Sequence, residues 1–255
     1  MIQRTLGTVG LICFLAQAAA AQQGAVHVLA SNGMKGVVEE LQPLCERAIG
    51  HPLSIEYNST AALMQKIESG AAFDVAILTS EGIAELEKEN RVSAGSRADF
   101  ARSGIGLAVR SGSPKPDIRT PAALKRTLKE AASIAYAKDG ASRAYIDKML
   151  EHLGLAEGAK PKILLTQGSG PAMASVASGQ TAVVMTLMSE LLLTHGIDIA
   201  GPLPAEVQRY VSFGAAAGIK AGDPAAAKAL IAFLRSADTA PVYKNKGMEA
   251  LPPAR

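Results

Sequence analysis

Small polar residues and glycines stand at four points where an apolar run gives way to a helical pattern. The four turns are Ser31-Asn32-Gly33, Asn58-Ser59-Thr60, Gly140-Ala141-Ser142 and Gly168-Ser169-Gly170. The first turn of a helix carries backbone N–H groups without an intrahelical partner and a partial positive charge, so it can bind an anion. The same residue types also serve as ordinary N-caps. The pattern therefore predicts either an anion pocket built from helix N-termini or four structural caps.

Arg143 adds a positive charge directly after the third of these turns. The helix dipole disfavours a cation in the first turn, and a nearby anion would offset that cost. The guanidinium fork is suited to binding a carboxylate through two hydrogen bonds. Alternatively, Arg143 points to solvent or pairs with Asp139 or Asp147. If it faces the pocket, an organic carboxylate becomes a better ligand than a tetrahedral metal oxyanion.

Patterns that would indicate catalysis are weak in this chain. Ser169 lies between glycines at a helix start, a turn that could hold an oxyanion. However, the G-x-S-x-G elbow is absent, and the spacing supports no partnership of a histidine with an acid. The histidines lie on different elements without metal-ligand spacing. We therefore predict a non-enzymatic binding protein without metal or cofactor, and a hydrolase-like enzyme that uses the Ser169 turn is the alternative.

The elements that must position these turns alternate between strands and helices. Strand patterns include VHVLA, LSIEY, FDVAIL, GIGLAVR, SIAYA, PKILLT and AVVMTLM. Most of them are followed by an amphipathic helical pattern. This alternation is typical of parallel sheets covered by helices, which bind ligands at the carboxyl ends of their strands. The sequence thus predicts an α/β fold.

Composition and the N-terminus indicate an exported protein. The chain has 255 residues and a formal net charge of +3, and it contains no basic cluster with interleaved aromatics, so we expect no nucleic-acid partner. Arg4, an apolar run and Ala19-Ala20-Ala21 form the pattern of a secretory signal peptide. The run is short for a membrane span. We predict a signal peptide over 1–21 and a periplasmic mature protein, in which Cys45 alone remains and packs as a small hydrophobe.

Five segments resemble the periplasmic solute-binding proteins of ABC transporters, specifically the molybdate-binding-like branch. They are VHVLASNGMKGVVEEL, IEYNSTAALMQKIESGAAFDVAIL, ASRAYIDKMLEHLG, SVASGQTAVVMTLMSELL and VYKNKGMEAL. Their order and spacing agree over essentially the whole mature chain. The piece QKIESGAAFDV is the most specific, because it combines the family's helix, glycine stop and buried-Asp strand.

The resemblance implies a type II periplasmic binding protein fold, with mixed, mostly parallel sheets, flanking helices and two hinge crossings. Lobe 1 would comprise 22–102 and 213–255, lobe 2 would comprise 103–212, and the crossings would lie near 103–110 and 208–214. The lobes would close over a small anion by a hinge motion. A monomer would then deliver that anion to an inner-membrane permease. A secreted ligand-binding sensor with the same cleft is an alternative.

The resemblance carries over to the ligand-binding positions only in part. The family's first-strand serine aligns with Gly33, and its later tyrosine corresponds to Met188. The predicted ligand-binding residues, Arg143 included, are Ser31, Asn32, Gly33, Ser59, Thr60, Ser142, Arg143, Ser169, Gly170 and Met188. Because Gly33 and Met188 depart from the family pattern, the predicted ligand is either a small organic carboxylate or a molybdate- or tungstate-like oxyanion.

Overall fold

The structure is a computed structural model that describes residues 24–155 and 162–252. The strands are β1 Val26–Ser31, β2 Leu53–Asn58, β3 Val75–Thr79, β4 Ala98–Arg110, β5 Ser133–Ala137, β6 Lys162–Thr166, β7 Val183–Leu187, β8 Ile197–Pro202, β9 Tyr210–Ala217 and β10 Met248–Ala250. The helices are α1 Lys35–Ile49, α2 Thr60–Glu68, α3 Ser80–Lys88, α4 Pro121–Glu130, α5 Arg143–His152, α6 Ser169–Ala177, α7 Met188–Leu191, α8 Pro224–Leu234 and α9 Ala240–Asn245. The predicted signal peptide, 1–21, lies outside the described residues.

Two sheets share the long strand β4. The first sheet has the order β2-β1-β3-β9-β4, with β10 on the other edge of β4. The second sheet has the order β4-β7-β5-β6, and β8 also pairs with β4. Pairing is parallel within β2-β1-β3 and within β7-β5-β6, and antiparallel where β4 and β9 take part. The predicted mixed α/β fold is confirmed.

Local sequence explains where the helices around the sheets begin and end. Ser59 and Thr79 cap α2 and α3 through their hydroxyl oxygens, and Thr120 caps α4 ahead of a first-turn proline. Helix α1 buries one apolar face and ends at Gly50, whose φ of 74° is left-handed and suits glycine. The caps set the direction in which each helix leaves its strand.

The apolar core lies between the sheets and their helices. All five residues of β3 are buried, as expected of a central strand covered on both faces. The C-terminal segment returns to the first sheet, where Tyr243 stacks on Phe100 with ring centroids 5.9 Å apart. Cys45 is also buried, which confirms its predicted packing as a small hydrophobe. Among the described residues, no helix is long and apolar enough to cross a bilayer.

The chain passes between the two sheets within β4 and again in the segment before β9. Buried Gln208 links these two connections: its Oε1 accepts from Ile105 N at 2.9 Å and its Nε2 donates to Ile105 O at 2.9 Å. Ile105 is the residue at which β4 begins to pair with β7. The amide of Gln208 therefore fixes the point where β4 leaves the first sheet for the second.

Candidate functional site

The predicted turns lie at the carboxyl ends of two groups of parallel strands. In the first sheet, β1 and β2 end in register at Ser31 and Asn58. In the second sheet, β5 and β6 end in register at Ala137 and Thr166. Each strand is followed by a helical start, so N–H groups gather at both edges. We call the space where these two edges face each other the cleft.

Both edges of the cleft donate hydrogen bonds to one carboxylate, that of Asp139. Ser59 Oγ donates to Asp139 Oδ2 at 3.1 Å across the cleft. From the second sheet, Gln167 Nε2 donates to the same oxygen at 2.8 Å, and Gly168 N donates to Oδ1 at 2.7 Å. Ser59 Oγ also accepts from Ala62 N at 3.2 Å. Ser59 is therefore a helix cap and a donor to an anionic group at the same time.

The Ser31-Asn32-Gly33 turn contributes backbone groups to the cleft more than side chains. Ser31 is buried and its side chain makes no capping hydrogen bond. The carbonyl of Gly33 accepts from Ser189 Oγ at 2.9 Å, a contact between the turn after β1 and helix α7 after β7. A Cβ at Gly33 would lie 2.6 Å from Phe213 Cζ and 3.0 Å from Leu187 Cδ1. The serine that the family pattern places here would not fit without movement of Phe213.

Thr60 and Ser80 extend this edge toward β3. Thr60 Oγ1 accepts from Thr79 N at 3.3 Å, so its hydroxyl holds the end of β3. Ser80 begins α3, and its buried Oγ has no hydrogen-bond partner among residues 24–155 and 162–252. Next to it, the Glu81 carboxylate adds to burial in raising the pKa of Tyr145 on α5.

Arg143 pairs with Asp147, which is one of the alternatives that the sequence left open. Its Nε binds Asp147 one helical turn further along, and its guanidinium carbon lies 5.3 Å from the centroid of the Tyr136 ring. Tyr136 Oη donates to the same carboxylate at 2.9 Å. Burial, together with this carboxylate, raises the pKa of Tyr136. Ser142 precedes Arg143 as a buried N-cap residue without a capping bond from its side chain.

The Ser169 hydroxyl is engaged by a buried carboxyl group. Ser169 Oγ donates to Glu190 Oε1 at 2.6 Å, and Thr186 Oγ1 also donates to Glu190. Burial raises the pKa of Glu190, while these two hydroxyl donors act in the opposite direction. The partner of Ser169 is therefore a carboxyl group and not the imidazole of a Ser-His-acid triad. Gly170 is exposed, with open space where a Cβ would stand.

Met188 packs away from polar groups. It begins α7, is half-buried and lies against an apolar cluster of the second sheet. Its Sδ fills the place where a Cβ would stand on Gly106 of β4. A thioether is only a weak hydrogen-bond acceptor and cannot replace a tyrosine hydroxyl as a donor.

Asp139, Gln167 and Glu190 are absent from the predicted ligand contacts, although all three touch the predicted turns.

Two sheets that share strand β4, with helix N-termini from both at a common cleft, are an arrangement found in solute-binding proteins. Residues 26–249 match the family model described as bacterial extracellular solute-binding protein, and the chain belongs to this family. Membership confirms the resemblance noted in the sequence and is consistent with a location outside the cytoplasm.

Two relatives of the chain carry different activities in their names. The chain is 32% identical over 233 residues to a protein named aconitate isomerase from Pseudomonas sp., covering 88% of this chain and 87% of that one. It is 27% identical over 236 residues to the molybdate-binding protein ModA of Azotobacter vinelandii, covering 90% and 92%. The solved periplasmic molybdate-binding protein of Azotobacter vinelandii superposes with a TM-score of 0.72 at 19% identity, covering 90% of this chain and 100% of that one. This likeness confirms the type II periplasmic binding fold.

Proposed function

We propose that this chain captures a small organic carboxylate in the cleft and delivers it to the permease of an ABC transporter. One observation carries the proposal: donors from the two sheets already converge on a carboxylate, that of Asp139. A ligand carboxylate can use the same donors, and its binding would hold the two halves together. Hinge closure of this kind presents the occupied form to a partner.

Local hydrogen bonds supply the affinity in this proposal. The chain carries 26 basic and 23 acidic residues, so its overall field attracts anions only weakly. A hydrogen bond to a charged group contributes about 1.5–3 kcal/mol, so each donor that the ligand engages changes Kd by about 10- to 150-fold. The N-termini of α2 and α6 add their partial positive charges through the caps Ser59 and Gly168.

Two substitutions favour a carboxylate over a metal oxyanion. The family's hydroxyl donors are missing at Gly33, where Phe213 fills the space, and at Met188, which packs on Gly106. The relative named for aconitate, a tricarboxylate, is also more similar to this chain than the relative named for molybdate. Selection of a planar carboxylate follows from the donors that remain.

A thermal-shift screen tests the proposal, with calorimetry for every anion that gives a shift. One panel holds citrate, cis- and trans-aconitate, succinate and acetate, and the other holds molybdate, tungstate, sulfate and phosphate. Binding to the native state alone raises Tm by mass action. We expect shifts with di- or tricarboxylates only. Shifts confined to molybdate and tungstate would assign the oxyanion function instead, and no shift in either panel would refute anion capture.

Isomerisation of a tricarboxylate is the second candidate function, favoured by the relative named aconitate isomerase. Carboxyl groups of the kind found at Asp139 and Glu190 can move protons during such a reaction. Proton NMR of trans-aconitate with a trace of protein separates the two functions. We expect binding without turnover. Conversion of many equivalents per protein would identify an enzyme.

We also propose that residues 1–21 direct export. Expression of the full chain in a Gram-negative host, followed by mass measurement of the periplasmic fraction, tests this. We expect a mature chain that begins at Gln22. Recovery of the uncleaved chain from the cytoplasm would contradict it.

A further inference from the structure

The Asp139 carboxylate occupies hydrogen-bond donors that the cleft would otherwise offer to a ligand. It lies half-buried in the connection between β5 and α5. Two of its three partners, Ser59 Oγ and Gly168 N, come from the N-caps of α2 and α6. The third is the side-chain amide of Gln167. An anionic group held at the N-termini of two helices is the arrangement expected for a bound anion.

Among residues 24–155 and 162–252, no cation donates to the Asp139 carboxylate. All three donors to Asp139 are neutral, and the nearby guanidinium of Arg143 binds Asp147 instead. An ionised carboxylate accepts at two oxygens through about four lone-pair positions, so three donors nearly saturate it. The donors are spaced for a planar pair of oxygens, because Oδ1 takes one of them and Oδ2 takes two.

We propose that Asp139 is an internal competitor of the ligand, which binds by replacing the Asp139 carboxylate on Ser59 and the Gln167–Gly168 turn. This inference rests on the proposed function and adds to it the group that must leave. Two carboxylates side by side repel each other, so the ligand and Asp139 do not share the donors. The apparent affinity is then the intrinsic affinity multiplied by the fraction of molecules in which Asp139 does not hold these donors.

Calorimetric titration of citrate into the full mature chain and into Asp139→Ala and Asp139→Asn tests the competitor role. Without the competing charge, we expect citrate to bind about tenfold or more tightly to Asp139→Ala. Asp139→Asn keeps the shape of the side chain and should change Kd in the same direction, and it carries the test if the alanine variant does not fold. An unchanged or weaker affinity in a folded variant would overturn the inference.

Asp198→Asn is the matched control. Asp198 also accepts from one hydroxyl and one backbone N–H, Ser111 Oγ and Gly112 N, both at 2.9 Å, but all three residues belong to the second-sheet side. We expect its citrate affinity to equal that of the wild type. An equal gain in Asp198→Asn would show that the effect of Asp139 is only a change in net charge, and would also overturn the inference.

Formate gives a second readout that does not depend on the identity of the natural ligand. It reproduces the carboxylate that Asp139→Ala removes, so formate should raise the Tm of Asp139→Ala far more than that of the wild type, whereas chloride should raise neither. Equal Tm shifts in both proteins would refute the proposal that the Asp139 carboxylate occupies the anion site of the wild type. A wild type that binds no anion of the panel refutes the proposed function, whereas equal citrate affinities of the wild type and Asp139→Ala refute only the competitor role.

Discussion

Ser59→Ala tests the cleft most sharply, because this hydroxyl has two roles that can be separated. As the cap of α2, its Oγ accepts from Ala62 N at 3.2 Å. The same Oγ donates a hydrogen bond to Asp139 Oδ2 at 3.1 Å. Loss of an N-cap costs about 1 kcal/mol, and loss of a bond to a charged group adds about 1.5–3 kcal/mol. We therefore expect Ser59→Ala to lower the free energy of unfolding by about 2.5–4 kcal/mol.

Thr120→Ala is the matched control for the capping part. Thr120 Oγ1 accepts from Ala123 N at 3.1 Å as the cap of α4 and lies outside the cleft. This variant should lose about 1 kcal/mol of stability in urea titrations. Its citrate affinity should not change. Equal stability losses in Ser59→Ala and Thr120→Ala would show that the bond to Asp139 contributes nothing measurable.

The effect of Ser59→Ala on binding depends on whether Asp139 is present. In the wild type the hydroxyl donates to Asp139 before binding and to the ligand after it, so the two losses largely cancel, and Kd should change less than about fivefold. In Asp139→Ala the hydroxyl meets only the ligand. There, Ser59→Ala should weaken citrate binding about 10- to 150-fold, the equivalent of about 1.5–3 kcal/mol.

Calorimetry on the wild type, the two single variants and the double variant completes this cycle. Equal weakening by Ser59→Ala in both backgrounds would refute competition for the hydroxyl. No weakening in either background would reduce Ser59 to a structural cap and remove it from the binding site.

Three further predictions concern packing and titration. Gly33→Ser should destabilise the protein by about 1–3 kcal/mol in calorimetric melting, because its Cβ would lie 2.6 Å from Phe213 Cζ; Gly170→Ser, in open space, is the control, and equal losses would contradict this packing. Burial raises the pKa of Glu190 above 4.5, so the native state binds the proton more tightly and stability falls as pH rises above that value. In urea titrations Glu190→Gln should remove this fall in stability as the pH rises above 4.5, and identical pH profiles of the two proteins would contradict it. Burial raises the pKa of Cys45 to about 11, so its thiol should react with Ellman's reagent only after unfolding, and rapid labelling of the native protein would contradict this.

Local sequence patterns predicted most of the elements, and the errors lie where pairing is non-local. The segment GIGLAVR indicated a strand from Gly104, yet β4 begins at Ala98. Its first half is held by β9, which lies more than 100 residues further along the chain, so nothing in the neighbouring sequence marks it. The segment SELLLTHG has the pattern of a helix with a glycine stop, yet α7 ends at Leu191, because the following residues form turns that lead directly into β8.

The polar turns were visible in the sequence, but their partners were not. Ser59 was identified because it precedes an amphipathic helix, a signal contained in a few residues. The sequence indicates Asp139 only as a possible partner of Arg143, which in the structure binds Asp147 four residues away on its own helix. The contact between Ser59 and Asp139 spans 80 positions and exists only when the two sheets face each other. Contacts across a cleft depend on the relative placement of the sheets, which local patterns do not encode.

A cleft lined with polar turns must satisfy its donors both with and without a ligand. Water can do so in an open cleft, but a closed cleft without a ligand would leave buried N–H and hydroxyl groups unpaired at about 1–3 kcal/mol each. A carboxylate of the chain itself removes that penalty at Ser59 and Gly168 and stabilises a closed arrangement in the absence of ligand. The ligand must then compete with the Asp139 carboxylate, whose effective concentration at the donors is high because it is attached to the chain. Asp139 thereby raises the ligand concentration at which the site fills, and it selects for ligands with more than one carboxylate, because these gain contacts that a single internal carboxylate cannot make.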